Sequence, residues 1–286
     1  MPLVTIEDDF DLKKIADSGQ CFRAKEVSPG VFRFITLDHV IDMEKIEDET
    51  FKISCGASEW ELIWSKYFDI QTDYAEIRKE ITDFGENKPC GEYLRKATEF
   101  GKGIRILRQD PFETLISFII SQRKSIPAIR TAIELICESF GDPVKTADGS
   151  EINAFPQVDE LCKVSAFELS KFSLGYRSAY VHDALQRVKG LSIALDDLFS
   201  SNDDDLMDTL KTIRGVGDKI AACVALYAYH RFACVPVDVW IKRAIKDDFK
   251  GENVFVEFGS LAGVLQQYIF YYKRFGKKDL VVDDDE

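Results

Sequence analysis

Ile213-Arg214-Gly215-Val216-Gly217-Asp218-Lys219-Ile220 limits the fold more tightly than any other stretch of this 286-residue chain. Glycine adopts positive φ at no steric cost, so two glycines around one apolar residue suit a tight turn. Apolar residues recur at helical spacing on both sides, Leu206/Leu210/Ile213 before the turn and Ile220/Cys223/Val224/Tyr227 after it. The stretch reads as helix, glycine hairpin, helix. Backbone N–H groups at the start of the second helix would point outward, an arrangement that favours an anion such as phosphate. Lys219 falls in the first turn of that helix, where a cation gains nothing from the helix dipole. A positive helix end favours the uncharged amine, which is the nucleophilic form. Nineteen residues beyond Lys219 stands Asp238, closing Val235-Pro236-Val237-Asp238. It can cap the helix that begins at Trp240-Ile241, and its carboxylate can serve chemistry beside the lysine.

Composition narrows the remaining choices. With 45% hydrophobic residues and 21 Phe, the chain can bury a substantial core in one or two domains. Met1-Pro2-Leu3-Val4-Thr5-Ile6 has neither the basic region nor the long apolar run of a signal peptide, and no stretch is apolar enough for a membrane span. An intracellular protein with no membrane partner is expected. The cysteines at 21, 55, 90, 137, 162, 223 and 234 are scattered and form no CxxC pair, so neither zinc nor an iron–sulfur cluster is indicated. With only His39, His182 and His230, no histidine-based metal site or triad assembles. A net charge of −13 argues against strong non-specific affinity for DNA. It leaves room for a local basic face, because the acids gather at residues 42–49, 203–205 and 283–286.

Taken in order, residues 1–100 read as an antiparallel sheet domain of α+β type. Phe32-Arg33-Phe34, Val40-Ile41-Asp42-Met43 and Phe51-Lys52-Ile53-Ser54 alternate, and Ser28-Pro29-Gly30 is a turn between strands. Residues 101–286 read as a mostly helical domain. Asp110 and Pro111 start a helix with the buried stripe Phe112, Leu115, Ile116, Ile119, Ile120. After the polar break Ser121–Ser125, Ser125 caps a helix that ends at Gly141. A last long helix is expected from Val256 to Arg274, with the stripe Leu261, Val264, Leu265, Tyr268, Ile269 and Tyr272.

The glycine hairpin, Lys219 and the Pro-Val-Asp segment together resemble the helix-hairpin-helix-GPD superfamily of DNA glycosylases, and within it the 8-oxoguanine DNA glycosylases. Ser18-Gly19-Gln20-Cys21-Phe22-Arg23, Gly103–Pro111 and Leu174-Gly175-Tyr176-Arg177 carry the resemblance along most of the chain. It implies an N-terminal antiparallel sheet domain followed by the helical hairpin-bearing domain. It also implies removal of 8-oxoguanine from duplex DNA, with Lys219 as nucleophile and Schiff-base former, and Asp238 stabilising charge on the sugar. The Gly19 carbonyl would accept N7–H of the oxidised base, which normal guanine lacks. Gln266 would read the base edge, Phe270 would stack on its face, and Cys223 would border the pocket. A glutamine and a phenylalanine four residues apart do share one helix face, and a flipped base needs both kinds of contact.

The resemblance further places Arg123 and Lys124 in the DNA-facing break, with Arg123 where eukaryotic relatives carry a wedging Asn. Tyr176 would wedge beside the unpaired base and Arg177 would hydrogen-bond it, while Gly215 and Gly217 meet the DNA backbone. Ala128 stands where those relatives have an arginine that reads the opposite cytosine, so relaxed opposite-base specificity is expected. No cofactor is required; a monovalent cation on the carbonyls of Lys211, Ile213 and Val216 is implied, and a monomer is expected. Other readings remain open from the residues alone: a glycosylase of the same superfamily for another damaged base, or a non-catalytic hairpin DNA-binding protein. Lys219 stands against an alkylpurine enzyme without a lyase step, and the lack of any Cys after Cys234 against a cluster-bearing one.

Overall fold

The computed structural model describes residues 1–276. Five strands form the N-terminal sheet: β1 (Leu3–Thr5), β2 (Lys25–Ser28), β3 (Val31–Thr36), β4 (His39–Lys45) and β5 (Thr50–Ile53). Their order is β1-β5-β4-β3-β2, and all neighbours are antiparallel. Alternation sets the register, so that Phe32 faces Met43 and Phe34 faces Ile41 across β3 and β4. Gly30, at φ +78°, turns the chain between β2 and β3. β1 has no counterpart in the sequence reading, because three residues are too few to show a period. Beneath the sheet, Phe34, Ile41, Met43 and Ile53 pack with Trp64, Phe68 and Ile15 of α1 (Leu12–Asp17).

The chain then becomes helical. The longer helices are α2 (Tyr74–Gly85), α3 (Gly91–Phe100), α4 (Pro111–Ile120), α5 (Ile126–Phe140), α6 (Arg177–Lys189), α7 (Asp203–Lys211), α8 (Asp218–Tyr227), α9 (Val239–Asp247) and α10 (Ala262–Phe275). Asp110 caps α4 by accepting the Glu113 N–H at 2.8 Å, and Ser125 caps α5 through the Ala128 N–H. The last helix departs from expectation. It starts at Ala262 rather than Val256, because Gly259 takes φ +49° and ψ −119°, through which no regular helix can continue. Residues Val254–Leu261 wind as a tighter, kinked turn instead.

Arg105 joins the two parts of the molecule. It is fully buried and donates to the Phe68 carbonyl at 3.1 Å, to the Asp8 carboxylate and Asp9 carbonyl at 2.9 Å, and to the Asp69 and Thr72 carbonyls at 2.6 Å. All five of its N–H groups are thereby matched. Leaving one such buried partner uncompensated costs about 3–5 kcal/mol. Among the described residues, no helix is long and apolar enough to cross a membrane, and no group of His, Cys, Asp and Glu could hold a metal. All seven cysteines are free. The acidic residues 283–286 lie outside the described residues.

Candidate active site

The hairpin between α7 and α8 closes through the Val216 N–H, which donates to the Ile213 carbonyl at 3.0 Å. Gly215 has φ +83°, and a Cβ there would fall 2.3 Å from Cδ2 of Tyr180, so its side chain is excluded twice over. Gly217 differs from the sequence expectation. Its φ of −103° and ψ of −176° are open to any residue, and nothing lies near the Cβ it lacks. One glycine therefore shapes the turn, while the other leaves open space before the N-terminus of α8.

Lys219 lies in the first turn of α8 with Nζ 5.0 Å from the centroid of the Phe118 ring, which stacks on Tyr227 at 5.5 Å. Cys223, one turn further, is buried. Burial pushes its thiol up, and the neighbouring Lys219 amine opposes that shift. Asp238 caps α9, and its Oδ1 accepts both the Trp240 and the Ile241 N–H at 2.9 Å. Oδ2 accepts no hydrogen bond from the described residues. Burial holds this carboxyl above the usual carboxylate range, against the pull of the cap bonds and of Lys219.

The opposite wall is built by the Ser18-Gly19-Gln20 loop and α10. The Gln20 amide donates to the Arg105 carbonyl at 2.8 Å and accepts the Leu107 N–H at 2.7 Å. Gln267 donates to the Ser18 carbonyl at 2.6 Å and accepts the Tyr227 hydroxyl at 2.6 Å. These bonds clamp Gly19 in its φ +79° conformation beside Phe270. Gln266, 2% exposed, behaves differently from its neighbour. Its Oε1 is buried with no hydrogen-bond partner. A buried acceptor left unmatched costs about 1–3 kcal/mol, so its retention points to a partner supplied from outside the chain.

These walls enclose a cavity of about 720 Å³ lined by Lys219, Asp238, Cys223, Gly19, Gln266, Phe270, Arg123 and Lys124. Trp240, Lys242 and Arg274 also line it and were not picked out in the sequence. Spacing held the signal for two of them, since Arg274 follows Phe270 by four residues and Lys242 follows Asp238 by four. Among the lining residues Asp238 is the one acid, against Lys219, Lys242, Lys124, Arg123 and Arg274, so an acidic chain carries a basic concavity. Tyr176, Arg177, Gly215 and Gly217 lie outside the lining. Tyr176 is half exposed and meets Tyr180 edge-on at 5.6 Å. Arg177 is buried, with its donors turned onto backbone carbonyls. Burial and the charge of Arg177 push the Lys124 amine down.

The donors a monovalent cation would take at the hairpin are the neutral carbonyl oxygens of Lys211, Ile213 and Val216. Ile213 gives one lone pair to the Val216 N–H and keeps the other. Lys211 ends α7 and Val216 precedes Gly217, so the three carbonyls lie in the segment that leads from the end of α7 to the N-cap of α8.

Residues 3–115 match the family model of the 8-oxoguanine DNA glycosylase N-terminal domain. The chain is 36% identical to the MBOgg1 protein, solved with a low affinity DNA ligand, at a TM-score of 0.89 over 96% of both chains. It is 35% identical to the Clostridium acetobutylicum 8-oxoguanine glycosylase/lyase, solved with double-stranded DNA containing cytosine opposite 8-oxoG, at a TM-score of 0.87 over 97% of this chain and 99% of that one. The N-glycosylase/DNA lyase OGG1 of Arabidopsis thaliana is 29% identical over 256 residues, 84% of this chain and 67% of that protein.

Proposed function

The chain belongs to the 8-oxoguanine DNA glycosylase/lyase family, and from that premise we propose how its residues divide the work. It is a bifunctional enzyme that removes 8-oxoguanine from duplex DNA and cuts the strand. The damaged nucleotide leaves the stack and enters the cavity, as an enzyme acting on a base inside a duplex requires. Gln266 pairs with the edge of the base, Phe270 stacks on its face, and the Gly19 carbonyl accepts N7–H. The uncharged Lys219 amine attacks C1′ as the bond to the base breaks and the base departs with the bonding electrons. Asp238, ionised, stabilises the positive charge that develops on the sugar. The aminal formed at C1′ gives up an amine proton while its C1′–O4′ bond breaks and O4′ takes a proton, which opens the sugar and leaves a Schiff base on Lys219. That Schiff base then loses a C2′ proton, and the 3′ phosphate leaves by β-elimination.

One observation carries this reading: the cavity lined by Lys219 and Asp238 is also lined by Gln266, a buried glutamine whose Oε1 has no hydrogen-bond partner within the chain. A monovalent cation on the Lys211, Ile213 and Val216 carbonyls would supply positive charge toward a DNA phosphate at the hairpin. We take the enzyme to act as a monomer inside the cell. Gel analysis of a duplex carrying one 8-oxoguanine tests the reading. Cleavage 3′ to the lesion supports it; base release without cleavage would favour a glycosylase lacking the lyase step, and binding alone a hairpin DNA-binding module.

A further inference from the structure

Resting on the reading above, in which the Gly19 carbonyl meets the base, we propose that Arg130 and Arg274 are positioning residues that aim this carbonyl into the cavity. The carbonyls on either side of it are matched one after another. Ile15 accepts the Ser18 hydroxyl at 2.7 Å. Ala16 accepts Nη2 of Arg130 at 3.0 Å, and Asp17 accepts Nη1 of Arg274 at 3.4 Å. Ser18 accepts the Gln267 amide at 2.6 Å, and Gln20 accepts the Gln109 amide at 2.8 Å. Among the described residues, no group donates to the Gly19 carbonyl. An unmatched carbonyl in a matched run is the one left to take a donor from outside the chain.

Two helices hold this segment, and each holds it twice. A Cβ on Gly19 would lie 3.2 Å from Phe270 of α10 and 3.5 Å from Ile126 of α5. Four residues further along the same helix faces stand Arg274 and Arg130. The apolar pair closes on Gly19 itself, and the arginine pair takes the two carbonyls at the end of α1. Gly19 has φ +79°, and glycine moves freely through that region, so its own backbone does not fix where the carbonyl points. The flanking bonds must do so. The two arginines stand together at a cost. Burial, and the charge of Arg130, push the Arg274 guanidinium down against the pull of Asp17. Nε of Arg130 is buried with no partner among the described residues. Two like charges and an unmatched donor make a poor device for stability alone, and their retention points to the geometry they impose.

Binding titrations on three duplexes test this. One carries 8-oxoguanine on a 2′-fluoro sugar, which resists excision, one carries an abasic-site analogue, and one is undamaged. The abasic duplex keeps the phosphates and lacks the base, so a Gly19 contact contributes nothing to its binding. Arg130→Met and Arg274→Met should each lower the preference for 8-oxoguanine over the abasic analogue by about tenfold, the share of one hydrogen bond. The double variant should lose little beyond the worse single one, because both residues act on one contact. Arg130→Lys and Arg274→Lys keep the charge and shorten the reach. They carry the same test, with a smaller loss, if a methionine variant does not fold. Equal losses on the 8-oxoguanine and abasic duplexes would leave the preference unchanged and overturn the proposal, in favour of a phosphate contact or a general loosening of the fold. Losses of preference that multiply in the double variant would overturn the shared target. A wild type that binds 8-oxoguanine no better than undamaged duplex would remove the base-reading function itself.

Discussion

A Cβ placed on Gly19 would lie 3.2 Å from Cε1 of Phe270. The two residues come from opposite ends of the chain and form one edge of the cavity. Gly19→Ala must therefore strain a backbone at φ +79° and displace the ring proposed to stack on the base. The backbone strain amounts to about 1–2 kcal/mol. Excision of 8-oxoguanine should fall by roughly one to two orders of magnitude if the Gly19 carbonyl no longer meets N7–H. Thermal melting and single-turnover rates measure the two effects separately. An unchanged rate would mean that the Gly19 carbonyl does not contact the base.

The adjacent glutamines of α10 should respond in opposite ways. Gln267→Leu leaves the Tyr227 hydroxyl and the Ser18 carbonyl unmatched, each a loss of about 1–3 kcal/mol. Gln266→Leu instead removes an acceptor that is already unmatched. That variant should melt at or above the wild-type temperature while binding the lesion more weakly. Melting curves beside lesion-binding titrations check the contrast, and a large loss of stability in Gln266→Leu would contradict it.

Asp238 has a cap role and a proposed catalytic role, which pH can separate. Burial raises its carboxyl, so it favours the folded state below the ordinary carboxylate pKa, and that contribution is lost as pH rises through the folded value. At neutral pH the ionised group is held at a cost. Asn caps a helix about as well as Asp, and it carries no charge. Asp238→Asn should therefore melt no lower than the wild type at pH 7, while turnover falls on the order of 10²–10⁴-fold. Full activity together with a lowered melting temperature would make the residue structural only.

Much of this site was legible in the sequence because its parts are local. The hairpin, Lys219 and Asp238 lie within one short stretch, and Gln266 and Phe270 share a helix face through their four-residue spacing. Asp110 and Ser125 announced their helices because a capping side chain acts on its own first turn. The clamps were not legible. Gln20 bonds Arg105 and Leu107, and Gln267 bonds Ser18, across separations that no period records. The choice between Gln266 and Gln267 likewise needed coordinates, since both are buried and only one is matched within the chain. The late start of α10 turned on the φ of Gly259, a conformation that glycine permits without requiring.

Opposite-base preference should be weak. Ala128 offers only a methyl group, and three of the five Arg177 N–H groups are taken by the Gln122 and Leu174 carbonyls. A good bidentate contact contributes roughly 1–3 kcal/mol of discrimination. Single-turnover rates on four duplexes differing only at the opposite base should therefore lie within about two orders of magnitude of one another. A far larger preference for cytosine would show that Arg123 or Lys124 supplies a specific contact.

The most direct test of the central claim is borohydride trapping on a duplex containing 8-oxoguanine opposite cytosine, comparing the wild type with Lys219→Gln. Only an amine that bonds C1′ can be reduced to a stable protein–DNA adduct. The wild type should give the covalent adduct, and Lys219→Gln should give none while still binding the lesion. An adduct at wild-type level in Lys219→Gln would contradict the assignment and move the nucleophile to another amine of the cavity, with Lys242 the first to examine.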